Sequence, residues 1–170
     1  MKLKVHLLAL ALAMLSPNAG AADWETIKRA PAQIEVVNMQ PTTLAASDDK
    51  NGWAKVPPQL TKYGAVVYMP SANTNGVADI TVTGDGYLLI ACNYDYQGNS
   101  SGKWDEEDWN ERKFKTKGWR KLSKTELGAV LVKGDNREQV VFVKQVRKGA
   151  AYRIRCNKYD PPFPILLTGK

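Results

Sequence analysis

Apolar and polar residues alternate with a period of two along most of the chain, and glycine or proline interrupts the pattern every few residues. Successive side chains of a strand point to opposite faces, so this period predicts β-strands rather than amphipathic helices. The strand candidates are residues 33–39, 64–69, 77–83, 87–93, 129–133, 139–146, 151–156 and 165–167. Short strands at this spacing predict an all-β fold, a single antiparallel β-sandwich or jelly roll.

Turn residues predict how these strands connect. Gly84, Asp85 and Gly86 separate strands 77–83 and 87–93, and an Asp-Gly pair between β-branched runs is a strong hairpin signal. Strands 129–133, 139–146 and 151–156 are joined by short turns and predict a three-stranded meander. Residues 40–62 carry several prolines and predict an extended connection. Prolines at 161, 162 and 164 stop the meander, which leaves 165–167 as a final edge strand.

The first 21 residues have the three parts of an export signal. Lys2 and Lys4 begin it, residues 7–15 form an apolar run, and Ala19 and Ala21 fit the positions before a cleavage site. We therefore predict a signal peptide at 1–21 and one β-sandwich domain at 22–170 that is secreted or periplasmic. No membrane insertion is expected after cleavage, because the apolar run is shorter than the roughly 20 residues of a spanning helix. An uncleaved anchor is the alternative.

The single histidine, His6, lies inside this signal, so the mature domain contains none. Ser-His and Cys-His catalytic pairs are excluded, and no nucleophile elbow, phosphate loop or dinucleotide motif is present. We expect no enzyme activity, no cofactor and no metal. Two alternatives use the acidic residues 105–108 with Asp95, either as a carboxylate pair for glycoside hydrolysis or as oxygen ligands for calcium.

Cys92 and Cys156 are the two cysteines of the chain. Strand alternation places Cys92 on one face with Leu88 and Ile90, and Cys156 on one face with Tyr152 and Ile154. Export to an oxidising compartment favours a disulfide between them. Two buried free thiols are the alternative, and a zinc site is weaker because zinc normally takes four ligands.

One stretch, residues 94–124, does not follow the strand pattern. It is a long loop rich in aromatic residues and glycine. Its acidic run, residues 105–108, is followed by a basic run of seven residues: Arg112, Lys113, Lys115, Lys117, Arg120, Lys121 and Lys124. Long loops in compact domains are usually functional or disordered, and the aromatic content argues against disorder. Residues 105–113 predict a short helix, because the acids precede the bases in the order that the helix dipole favours.

The composition of this loop suits carbohydrate binding. Aromatic rings pack on the apolar faces of sugars, and carboxylates or guanidinium groups take the hydroxyl or acidic groups. The predicted ligand-binding residues are Tyr94, Tyr96, Trp104, Asp105, Asp108, Trp109 and Arg112. The basic run could hold an anionic polysaccharide, which agrees with a net charge that falls only from +7 to +5 when Lys2 and Lys4 are removed. Tryptophans in the core and a solvated basic edge are the alternatives, and nucleic acid is not expected for an exported protein.

The order of several short segments resembles a group of small secreted domains. The segments are Val56-Pro57-Pro58-Gln59-Leu60, Ile80-Thr81-Val82, Gly86-Tyr87-Leu88-Leu89-Ile90-Ala91, the Trp104 loop, Lys117-Gly118-Trp119-Arg120, Val141-Phe142-Val143-Lys144-Gln145-Val146, Lys148-Gly149 and Asn157. Over residues 34–168 they resemble galactose-binding-like β-sandwich accessory domains found beside bacterial sialidase-like, esterase-like and polysaccharide-degrading enzymes. The resemblance implies a jelly-roll fold and a non-catalytic role in binding glycan or assisting its breakdown, without assigning ligand residues. A periplasmic inhibitor or immunity protein, whose loop inserts into a secreted enzyme, is the alternative.

Overall fold

A computed structural model describes residues 22–44, 52–70, 76–93, 109–156 and 161–169. The predicted signal peptide therefore lies outside the described residues. The helices are α1 (Trp24–Arg29), α2 (Pro58–Lys62), α3 (Glu111–Thr116) and α4 (Lys124–Leu127). The strands are β1 (Gln33–Val37), β2 (Met39–Thr43), β3 (Trp53–Lys55), β4 (Ala65–Pro70), β5 (Val77–Gly84), β6 (Gly86–Asn93), β7 (Arg120–Lys121), β8 (Leu131–Lys133), β9 (Glu138–Val146), β10 (Ala151–Arg155) and β11 (Phe163–Leu167).

The strands form two antiparallel sheets, which confirms the predicted all-β, sandwich-like fold. The small sheet has the order β1-β5-β10. The large sheet has the order β2-β4-β11-β6-β9-β8-β3, and β7 pairs with β9 beside this path. The small sheet covers one face of the large sheet. One hydrophobic core lies between the two sheets. The large sheet curls around a second core on its other face, where Trp53 of β3 contacts Phe163 of β11 with ring centroids 5.1 Å apart.

Strand β6 lies at the centre and is buried on both faces. Leu88, Ile90 and Cys92 contact the core under the small sheet. Leu89 and Ala91 contact the core inside the curl. Its neighbour β9 pairs with it over eight consecutive residues, from Gly86 opposite Val146 to Asn93 opposite Gln139. Alternate side chains of this pair therefore supply both hydrophobic cores.

The predicted hairpin of β5 and β6 is wrong. Strand β5 pairs with β1 and β10, whereas β6 pairs with β9 and β11, so the chain passes from the small to the large sheet at Asp85. The reason is burial: β5 alternates between buried and more exposed residues and needs cover on one face, while residues 88–92 are all buried and need cover on both. An Asp-Gly turn reverses the chain locally, but it does not decide which sheet each arm joins.

The predicted three-stranded meander is correct for β8 and β9 and wrong for β10. Strand β10 pairs with β5, so the chain changes sheets again at Lys148 and Gly149. The two crossings lie side by side, because the backbone N–H of Lys148 donates to the Asp85 carboxylate at 2.7 Å. Gly149 N–H also donates to the carbonyl of Val82 on β5 at 2.8 Å.

Two further predictions about strands need correction. The strand predicted at 33–39 is divided by Asn38, whose φ of 63° turns the chain from β1 in the small sheet to β2 in the large sheet. The connection predicted at 40–62 contains β2, β3 and α2 among its described residues. Pro58 fits at the first turn of α2, where no backbone hydrogen bond is lost.

The predicted edge strand at 165–167 lies inside the large sheet as β11, between β4 and β6. Pro164 is accommodated because the two registers overlap only at Ile165: β6 pairs with 163–165 and β4 with 165–167. At Pro164 the strand therefore pairs only with β6, opposite Ile90, and its pairing with β4 begins one residue later.

Gly86 provides a test of the crossing between the sheets. An added Cβ would lie 2.5 Å from the carbonyl oxygen of Ala30, whose oxygen already accepts from Tyr87 N–H at 2.8 Å. We expect Gly86→Ala to lower the free energy of unfolding by about 3 kcal/mol, because backbone must move. Gly149→Ala is the control: its Cβ would meet nothing within 4 Å, so only the positive φ of 86° is penalised, by about 1 kcal/mol. Urea unfolding measures both, and equal losses would contradict this account.

Candidate functional site

The segment after the long loop closes one edge of the sandwich. Asn110 caps α3 by accepting from the Lys113 N–H at 2.9 Å. After α3 the chain turns at Gly118, whose φ is 76°, and Trp119 N–H donates back to the carbonyl of Phe114 at 3.0 Å. This C-terminal turn directs Trp119 into the core and leaves Lys117 exposed. The helix predicted at 105–113 is therefore found later in the chain, at 111–116, and residues 105–108 lie outside the described part.

Phe114 organises a cluster of five aromatic rings at this edge. It is fully buried and stacks on Phe142 of β9, with ring centroids 4.1 Å apart. Trp109 and Trp119 meet Phe114 edge to face at 5.0 and 5.5 Å. Trp119 in turn meets Tyr152 of β10 at 5.7 Å. The cluster thus joins the large sheet to the small one and ends in two half-buried rings, Trp109 and Tyr152.

Cys92 and Cys156 lie next to this cluster, on the facing sheets. Their Sγ atoms are 3.0 Å apart and both side chains are buried, as the strand pattern predicts, but the predicted disulfide is not formed and both thiols are free. Burial in the core raises the pKa of the Cys92 thiol well above its usual value, and the hydrogen bond from Cys156 adds to the rise. The Cys92 thiol is therefore protonated at neutral pH and is not a reactive thiolate.

The described residues that flank positions 94–108 lie near these cysteines. Strand β6 ends at Asn93, one residue after Cys92. On the other side, Trp109 N–H donates to the carbonyl of Arg155, and the Trp109 carbonyl lies 3.7 Å from the Sγ of Cys156. Both flanking residues are therefore close to the cysteine pair.

Lys117 and Lys144 form a basic pair next to the aromatic cluster. The Nζ of Lys144 donates to the carbonyl oxygen of Lys117 at 2.7 Å and lies 5.5 Å from the centre of the Tyr152 ring. Burial and then the nearby positive charge of Lys117 hold the pKa of Lys144 below its usual value. Among the described carboxylates, none forms an ion pair with either lysine. We call Trp109, Lys113, Lys117, Lys144 and Tyr152 the basic aromatic edge.

Most other members of the basic run have acidic partners. Lys115 and Lys121 both face Glu111, at 2.7 and 3.8 Å, and the hydrogen bond from Lys115 lowers the pKa of that carboxyl. Arg120 pairs with Glu126 at 2.8 Å and also donates to the carbonyl of Ala22, which ties the start of the domain to β7. Four members of the run, Lys115, Arg120, Lys121 and Lys124, therefore belong to ion pairs, while Lys117 lies at the basic aromatic edge.

The structure describes only two of the seven predicted ligand-binding residues. Trp109 is half-buried, with the Nζ of Lys113 5.9 Å from its ring centre, and Arg112 is exposed on α3. Tyr94, Tyr96, Trp104, Asp105 and Asp108 lie outside the described residues, and their role stays a prediction.

Sequence reasoning missed Lys144 and Tyr152, although each left a signal. Lys144 interrupts the apolar series of Val140, Phe142 and Val146 on one face of β9. Tyr152 shares its face of β10 with Ile154, opposite Arg153, so its ring had to approach the core.

Within the described ranges there is no group of three or more His, Cys, Asp or Glu side chains that could hold a metal ion. None of the helices in that part of the chain is long and apolar enough to cross a membrane. Asp85, weighed above as a turn residue, has a structural role because it accepts from Lys148 N–H.

Comparison with known proteins gives no match. No protein-family model, no curated protein and no solved structure matches this chain. The resemblance to secreted accessory domains therefore stays a prediction, and a function is argued from the geometry of the described residues.

The electrostatics of the basic aromatic edge can be tested directly. Lys117→Met removes the like charge beside Lys144, so the pKa of Lys144 should rise and stay below its usual value because burial still opposes the charged form. NMR titration of the Lys144 ammonium group measures this. Lys115→Met, which removes a lysine paired with Glu111, is the control and should leave the pKa of Lys144 unchanged. An unchanged pKa in Lys117→Met would show that the two charges do not interact.

Proposed function

We propose that this protein is an exported, non-catalytic β-sandwich that binds an anionic polysaccharide at the basic aromatic edge. The observation that carries the proposal is the Lys144 ammonium, which lies against the Lys117 carbonyl, close enough for the Lys117 charge to lower its pKa, and has no acidic partner among the described residues. The Lys117 charge disfavours the charged form of Lys144 in the unliganded protein. A bound carboxylate or sulfate would relieve that repulsion.

The neighbouring rings supply the second part of such a site. Trp109 and Tyr152 are half-buried, so part of each ring remains accessible. Each ring has a lysine ammonium within 6 Å of its centre, at 5.9 Å for Lys113 and 5.5 Å for Lys144. A ring face beside a cation suits a uronic or sulfated sugar, whose C–H face packs on the ring while its acid group meets the ammonium.

The long loop would extend this surface. The residues that flank it, Asn93 and Trp109, lie beside the cysteine pair, which supports a place for it next to the basic aromatic edge. We propose that Tyr94, Tyr96, Trp104, Asp105 and Asp108 complete the site together with Trp109 and Arg112. Their rings would add sugar-stacking surface, and the two aspartates would accept hydrogen bonds from sugar hydroxyls.

Export and a disulfide belong to the same proposal. The thiols of Cys92 and Cys156 face each other from the two sheets at 3.0 Å, so oxidation in the periplasm or outside the cell requires little movement. The bond would join the two sheets at the base of the loop. It would thereby hold the ends of the binding loop in place, which lowers the ordering cost of binding.

Binding to a defined polymer tests the main proposal. The purified protein lacking residues 1–21 should bind polygalacturonate in affinity electrophoresis, and binding should weaken as salt is raised. The double variant Lys117→Gln with Lys144→Gln should weaken binding at least about tenfold, or about 1.4 kcal/mol. Lys62→Gln, an exposed lysine on α2, is the control and should bind as the parent protein does.

Two outcomes would contradict this proposal. Equal retention by hydroxyethyl cellulose would show that negative charge on the polymer is not recognised. Failure to bind any anionic polymer, combined with capture of a single enzyme from the periplasm that the double variant no longer captures, would favour the inhibitor or immunity class instead.

The disulfide has its own test. Protein exported by its host should begin at Ala22 and show no free thiol when it is denatured without reductant. Cys92→Ala should lower the free energy of unfolding by about 4 kcal/mol relative to the oxidised parent, because the bond closes a loop between residues 64 positions apart. The comparison is made by urea unfolding, with the reduced parent as control. Two titratable thiols in the exported protein would refute the disulfide.

A further inference from the structure

A pocket lies on the opposite side of β9 from the central strand β6. The chain first pairs with β9 through β7, where Arg120 and Lys121 face Val143 and Phe142. It then leaves the sheet through α4 and returns as β8, where Leu131 and Val132 face Gln139 and Glu138. The segment between β7 and β8, residues 122–130, is called the excursion below. It borders a pocket of about 300 Å³ beside residues 138–141.

The excursion is held in place by strong local constraints. Ser123 and Glu126 form a reciprocal capping box at the start of α4. Gly128 ends the helix with a φ of 73°, and a Cβ there would lie 2.5 Å from the side-chain oxygen of Gln59 on α2. The pocket therefore has a defined wall rather than a mobile one.

The pocket has an apolar interior and a charge-balanced rim. Leu122, Leu127, Leu131 and Val141 line it, and all four also belong to the core inside the curl. At the rim, Lys124 and Glu138 lie 4.0 Å apart with 72% and 52% of their side chains exposed. Such an exposed ion pair contributes little stability and separates easily. The third charged residue of the lining, Lys121, pairs with Glu111 at 3.8 Å, so each charged group at the rim has a partner of opposite sign.

Gln139 is the feature that points to a ligand. It is the one buried polar residue among the described residues, with 2% of its surface exposed, and it lines this pocket. Strand alternation directs its side chain to the same side as Val141. Neither its amide nitrogen nor its amide oxygen has a hydrogen-bond partner among the described residues. A buried carboxamide normally has both, so Gln139 holds an unpaired donor and an unpaired acceptor at the wall of this pocket.

We propose that this pocket binds a neutral secondary amide with a short acyl group, such as the acetamido group of an N-acetylated sugar. An amide offers one N–H donor and one carbonyl acceptor, which match the acceptor and donor of the Gln139 carboxamide. The acyl methyl group would rest on the leucine side chains. The balanced rim favours a neutral ligand, and the volume falls at the small end of ligand pockets, which fits one sugar ring.

NMR titration of the ¹⁵N-labelled protein lacking residues 1–21 tests the proposal, with N-acetylglucosamine and glucose as probes. N-acetylglucosamine should give saturable shifts at residues 122–131 and 139–141, and glucose should give none at the same concentration. N-acetylalanine methylamide carries the same amide on a peptide, so its affinity relative to N-acetylglucosamine tells which carrier the pocket prefers. The double variant at Lys117 and Lys144 should bind N-acetylglucosamine normally, which separates this pocket from the basic aromatic edge.

Two variants locate the interaction. Gln139→Leu should weaken N-acetylglucosamine binding at least about tenfold, because the amide of the probe then loses both partners. Ala129→Phe fills the pocket while Gln139 remains, and should also abolish binding. Gln145→Leu, at an exposed glutamine on the same strand, is the matched control and should bind like the parent. Absence of saturable shifts, equal shifts with glucose, or full binding by Gln139→Leu would overturn the proposal.

Discussion

The antiparallel pairing of β6 with β9 is the interaction on which the rest of the structure depends. Eight consecutive residue pairs hold the two strands together, and both strands lie between two hydrophobic cores. A strand such as Leu88–Cys92, apolar on both faces, is stable only if both faces are covered. The small sheet covers one face, and the curl of the large sheet with its helices covers the other.

This need for cover on two faces explains why the chain changes sheets so often. The crossings at Asn38, Asp85 and Lys148 each transfer the chain between the small and the large sheet. Two of them are joined directly by the hydrogen bond from Lys148 N–H to Asp85, so the small sheet is held at its end as well as through its core. Turns that resemble hairpins in sequence therefore serve as corners of the sandwich.

The same arrangement determines where binding chemistry can occur. The opening between β9 and β10 is closed by the Phe114 cluster, and its outer rings lie beside Lys117 and Lys144. On the other side of β9, the excursion between β7 and β8 leaves a pocket at Gln139. Both candidate sites thus lie on the side of the central pair where β9 lacks a continuous partner strand. One is cationic and partly aromatic, whereas the other is neutral and mostly apolar.

The sequence by itself determined the strand type, the inward direction of Cys92 and Cys156, and the position of most strands, because a period of two and the placement of glycine and proline are local properties. It also showed that residues 109–124 combine aromatic and basic side chains. Only the tertiary structure decided which sheet each strand joins, that β11 is internal, and that Lys144 and Tyr152 complete the basic aromatic edge. The physical reason is that strand partners are chosen by burial of both faces across long sequence separations, and a turn signal carries no information about that burial.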